Sequence, residues 1–95
     1  MAARPATINT SVATSDTNVK AGPGKVYWVS HFAGATGGAW QLNDSTDDSG
    51  TDMYSANTAE NSSTEHLHFD PPLTFEQGIY LDIPGTNVTV TVGYN

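Results

Sequence analysis

Three groups of side chains in this 95-residue chain have the types and spacing to do chemistry. His66 and His68 stand two apart in the run 64–69, TEHLHF. In an extended segment both imidazoles fall on one side, where a pair can chelate zinc or iron. His31 is a candidate third ligand, and Glu76 or Asp70 a fourth; with no third ligand in place, the pair reads as exposed strand histidines. The stretch 43–52, NDSTDDSGTD, gathers the oxygen ligands that calcium takes. Its spacing departs from the EF-hand loop, with Asp44, Asp47 and Asp48 misplaced and no Glu to close it, so an exposed hairpin loop is the plainer reading. Tyr27, Trp28 and Trp40 could together form a stacking platform for sugar rings, although aromatics on adjacent strands more often build a core.

Covalent catalysis finds no support. The chain has no Gly-x-Ser-x-Gly elbow, no cysteine nucleophile and no phosphate-cradling Gly-Lys-Thr/Ser loop. Its Ser, His and Asp residues are scattered, and a chain of this size has little room for the cleft that paired glycosidase carboxylates need. A non-enzymatic protein without a cofactor is expected.

The elements that must position these groups read as strands. In 78–94, Ile79, Leu81 and Ile83 alternate with Tyr80 and Asp82, and Val88, Val90, Val92 and Tyr94 alternate with Thr89, Thr91 and Gly93. That period of two predicts half-buried strands. Pro84-Gly85 has the chemistry of a tight turn, so an antiparallel hairpin is expected there. A second strong strand covers 25–34, with Val26, Trp28, Ser30 and Phe32 on one parity and Tyr27, Val29 and His31 on the other. Both sides are apolar at its start, which suits a central strand. Gly37-Gly38 turns the chain into 39–43, where Trp40 and Leu42 point inward, and a short strand around Met53 and Tyr54 follows. In 64–69, Leu67 and Phe69 point in and the histidines out, until Asp70-Pro71-Pro72 interrupts pairing. Residues 6–20 are polar but β-leaning and predict one or two edge strands or an extended arm.

Seven or eight short strands broken by Gly, Pro, Asn and Ser predict an all-β fold, a single antiparallel β-sandwich, with a jelly roll among the strand orders it admits. The division expected is an N-terminal arm or edge strand over 1–20 and a sandwich domain over 21–95. Such a small core, with no cysteine for a disulfide, favours oligomerisation or docking onto a larger assembly.

Charge narrows the partners. The net charge is −7; Arg4, Lys20 and Lys25 are the only bases, and nine acids follow Val26. This argues against nucleic acid, which needs clustered cations, and against anionic membrane surfaces. The basic N-terminal part is the segment suited to an acidic partner, and the acidic remainder suits solvent. No apolar h-region follows Met1, so cytosolic synthesis is expected, and the four Asn-x-Ser/Thr triplets read as chance.

The closing pattern adds a resemblance. Phe75-Glu76-Gln77-Gly78-Ile79-Tyr80, Gly85-Thr86 and Val88 through Tyr94, together with a polar N-terminal strand leading into Gly24-Lys25-Val26-Tyr27, resemble small β-sandwich virion structural proteins of tailed bacteriophages. The resemblance implies a capsid decoration or cement protein, a homotrimer on the outer surface of the capsid that binds the major capsid protein and stabilises the head after synthesis in the bacterial cytoplasm. Docking would then use Arg4, Ile8, Val12, Lys20 and Lys25. The alternative is a glycan- or receptor-binding module of a phage fibre or tail tip, using Tyr27, Trp28 or Trp40.

Overall fold

A computed structural model describes residues 8–47, 49–58, 64–85 and 87–95. Eight strands form: β1 (Asn9–Ala13), β2 (Thr17–Ala21), β3 (Gly24–Ala33), β4 (Gly38–Asp44), β5 (Thr51–Thr58), β6 (Glu65–Phe75), β7 (Gly78–Asp82) and β8 (Val88–Tyr94). They make two antiparallel four-stranded sheets, ordered β1-β8-β3-β6 and β2-β7-β4-β5. The first strand pairs with the last, the second with the seventh, the third with the sixth and the fourth with the fifth. That is the order of a jelly roll, the double-sheet form of an antiparallel sandwich. No helix long and apolar enough to cross a membrane occurs among the described residues.

The core is the space between the sheets. Val26 and Val29 of β3 and Val88, Val90 and Val92 of β8 meet Trp40 and Leu42 of β4 and Ile79 and Leu81 of β7, all fully buried. Trp40 stacks on Tyr54 at 5.6 Å between ring centroids, and Tyr54 meets Phe69 edge-on at 5.2 Å. These contacts tie β4 and β5 of one sheet to β6 of the other.

Two sequence expectations are corrected. Residues 78–94 do alternate and do bury one side, but β7 and β8 are not a hairpin. They lie in opposite sheets, β7 between β2 and β4 and β8 between β1 and β3. Their apolar sides face each other across the core, a placement that period two cannot tell from pairing side by side. The link between them is long enough to change layers: five residues span up to about 17 Å, against a sheet separation of about 10 Å. Ile83 N donates to Asp16 Oδ1 at 2.8 Å, and Gly34 N donates to the Asn87 carbonyl at 2.8 Å, anchoring both ends of that crossing. Only β4–β5 is a hairpin of consecutive strands among the described residues.

The second correction concerns β3. It is central, as expected, between β8 and β6. However, its pairing with both neighbours shifts register between Val26 and Trp28, leaving Tyr27 as an extra residue. A bulge of this kind resets alternation. Val26 points in, and beyond the bulge Val29, His31 and Ala33 point in, while Trp28 is half-buried and Phe32 is 43% exposed. Trp28 and Phe32 therefore leave the expected core face. On β6, pairing with β3 jumps from His68 to Leu73, so 69–72 break the ladder as the Asp-Pro-Pro sequence predicts.

Residues 9–13 and 17–21 are edge strands of the two sheets. Of the two forms expected for 6–20, edge strands or an extended arm, the described residues take the edge strands.

Candidate functional site

The bulge builds a surface. Past Tyr27, alternation aims Trp28, Ser30 and Phe32 outward from the sheet β1-β8-β3-β6, and register aligns them with partners on every strand. Thr10, Gly93, Trp28 and His68 form one row across four strands. Val12, Thr91, Ser30 and His66 form the next, and Thr89 lies beside Phe32. None of these ten residues is Asp, Glu, Lys or Arg, on a chain whose net charge is −7. Val12 is 66% exposed, and both histidines are exposed. A Cβ on Gly93 would sit inside the indole of Trp28, so glycine at 93 is what lets that ring lie flat across β8.

Polar contacts order the end of this face. Ser30 Oγ and His66 Nδ1 are 2.5 Å apart, the Trp28 and His66 rings are 5.3 Å apart, and the His66 and His68 rings meet edge-on at 4.5 Å. The two histidines share the outer face, as the strand period predicts. His31 does not join them. It is buried on the inner side of β3, with Nδ1 2.8 Å from Thr58 Oγ1, Nε2 3.7 Å from Glu65 Oε2 and its ring edge-on to Trp40 at 5.4 Å. The three-histidine centre is therefore ruled out by the sheet between its members. No group of three or more His, Cys, Asp or Glu side chains able to hold a metal occurs among the described residues.

The sugar platform also divides. Trp40 is fully buried and cannot meet a ligand at the surface. Tyr27 lines an open cleft of about 400 Å³ with Lys20, Lys25, Pro23, Thr74 and Asn95. Trp28 lies on the outer face with His66. Of the expected docking residues, Lys20 and Lys25 come together in that cleft, Val12 belongs to the outer face, and Ile8 is exposed just before β1. Arg4 lies outside the described residues.

The acidic stretch is a hairpin loop between β4 and β5, closed by the pairing of Asp44 with Thr51. Its carboxylates serve the backbone. Asp44 Oδ1 accepts from the N–H groups of Glu76, Gln77 and Gly78 at 3.0, 2.8 and 3.4 Å. Asp47 Oδ1 accepts from Ser49 N at 2.8 Å and from the Ser49 hydroxyl. Burial opposes ionisation of Asp44, but the backbone donors outweigh it and hold this carboxyl below its usual value. The Ser49 hydroxyl and N–H do the same for Asp47. Two of the oxygens proposed for calcium are thus already committed, and Asp48 lies outside the described residues.

Sequence reasoning missed Ser30 and Phe32 as surface residues. The available signal was the unbroken run Tyr27-Trp28-Val29, where alternation fails and a bulge restarts it. No protein-family model, no curated protein and no solved structure matches this chain.

Proposed function

We propose that this protein is a non-enzymatic virion component of a tailed bacteriophage, a decoration protein that binds the outer capsid surface as a homotrimer and stabilises the head. The observation that carries this reading is the uncharged patch on the outer side of sheet β1-β8-β3-β6, with Val12, Trp28 and Phe32 in it and exposed Lys25 and Asp70 at its margin. Depletion of charge and enrichment in aromatics mark the centres of protein interfaces. The hairpin loop that Asp44 and Thr51 close belongs to the other sheet, so its charge does not oppose contact at this patch. The resemblance of the closing strands to phage virion proteins supplies the partner, the major capsid protein. Lys20 and Lys25, together in one cleft, suit an acidic segment of that partner or of a neighbouring copy.

The N-terminal segment needs a different test from truncation, because 9–13 is the strand that covers the edge of β8. Val12→Asp and Phe32→Asp change side chains 66% and 43% exposed, so the sandwich should remain folded. Purified virions analysed by quantitative mass spectrometry and cryo-EM should carry hundreds of wild-type copies at local symmetry axes and lose them in the double variant. Wild-type occupancy by the double variant, or absence of the protein from particles, would overturn the reading.

Trp28 favours one second reading. Half-buried, lying over Gly93 and bordered by His66, it suits stacking on a sugar ring at a fibre or tail tip. Glycans that shift Trp28 emission, with few copies per virion at the tail, would support it.

A further inference from the structure

The outer face carries one pair of side chains with a chemistry beyond docking. His66 and His68 are two residues apart on β6, both exposed, with rings 4.5 Å apart and turned edge to face. Neighbouring side chains on one face of a strand usually stand farther apart than that, so the two rings lean towards each other. Ser30 Oγ lies 2.5 Å from His66 Nδ1. When Nδ1 carries the proton and donates it to Ser30, the lone pair is left on Nε2, at the far side of the ring. That is how a hydrogen-bonded partner orients a metal-ligating histidine and fixes its tautomer. Trp28 closes one side of the pair at 5.3 Å from His66, and the residues in register with the pair on β3 are Ser30 and Trp28, neither of them cationic.

We propose that His66 and His68 form a surface chelate for a first-row divalent transition-metal ion, with Ser30 as the positioning residue. Imidazole nitrogens suit copper, nickel, zinc and iron, and the affinity order of such ions places copper(II) as the tightest occupant. Two protein ligands leave the remaining coordination positions to water or to a ligand from outside the chain. The pair requires neither His31 nor the acidic loop, and it stands whether the face docks on a capsid or on a glycan.

Titrating tag-free protein with copper(II) sulfate in a non-coordinating buffer, followed by calorimetry and tryptophan fluorescence, tests this. One equivalent of copper should bind and quench emission, because the ion sits beside Trp28. Trp28→Phe should keep the calorimetric binding and lose most of the quenching, since Trp40 is in the core. His66→Gln or His68→Gln should each weaken binding by about 100-fold or more, because a second ligand held in place acts at high effective concentration. Ser30→Ala should weaken it by about tenfold, the low end of what outer partners contribute. These residues are on the outer face, and near-UV circular dichroism would verify that each variant keeps its fold. Absence of copper binding, or a His66→Gln/His68→Gln double variant that binds like the wild type, would overturn the proposal.

Discussion

Asp44 holds a turn together with one oxygen. Its Oδ1 accepts three successive backbone N–H groups from the β6–β7 connection, joining the end of β4 to a segment more than thirty residues away. Bonds to an ionised acceptor are the stronger kind, and Glu76 and Gln77 lie between β6 and β7, outside either strand. Replacing Asp44 by Asn keeps an acceptor but removes the charge, and should cost about 1–2 kcal/mol at neutral pH. The pH dependence follows from the lowered native pKa. The unfolded carboxyl titrates near ~3.9, so the charge contributes fully above about pH 5 and its contribution is lost as pH falls through the lower native value. Thermal melts should therefore show a wild-type advantage over Asp44→Asn that is constant from about pH 5 to 7 and narrows below about pH 4. Parallel curves down to pH 2 would show that the carboxylate does not stabilise through its charge.

Strand β3 shows how one inserted residue redistributes a whole element. Without the bulge at Tyr27, the parity of Val26 would carry Trp28, Ser30 and Phe32 into the core and leave Val29, His31 and Ala33 outside. With it, small aliphatic residues and one histidine fill the interior, and the larger aromatics line the outer face. Gly93 is the matching feature on β8, since any side chain there meets the indole of Trp28. Gly93→Val should displace Trp28 into solvent, shift its emission to the red and destabilise the sandwich by about 1–3 kcal/mol, as overpacking typically does. An unchanged emission maximum would place the indole elsewhere.

At the scale of the molecule, the first and last strands are partners. Four nested pairings, β4 with β5 innermost and β1 with β8 outermost, mean that most contacts close long loops. Loop closure must be completed before those contacts contribute, so folding should be slow for a chain of 95 residues. Stopped-flow refolding monitored by tryptophan fluorescence should relax in the millisecond-to-second range. Microsecond relaxation would be incompatible with this topology. The same arrangement explains why removing the N-terminal strand is not a neutral truncation: it would uncover the β8 edge, a template for pairing between chains.

The amino-acid sequence determined what depends on local chemistry and on period. Strand content, the inward sets Ile79–Leu81–Ile83 and Val88–Val90–Val92, the outward pair His66 and His68, and the break at Asp70-Pro71-Pro72 are all legible, because alternation and proline act within a few residues. Edge placement of 9–13 and 17–21 was legible from their polarity. The tertiary structure decided what depends on who pairs with whom. Alternation is the same for strands paired in one sheet and for strands facing across a core, so β7 and β8 read as a hairpin although they lie in opposite sheets. A bulge is specified by two neighbouring strands at once, so the interior position of His31 and the surface positions of Trp28 and Phe32 follow only from register. The candidate site inherits that division: its histidines could be read from one strand, whereas the uncharged patch around them exists only where four strands meet.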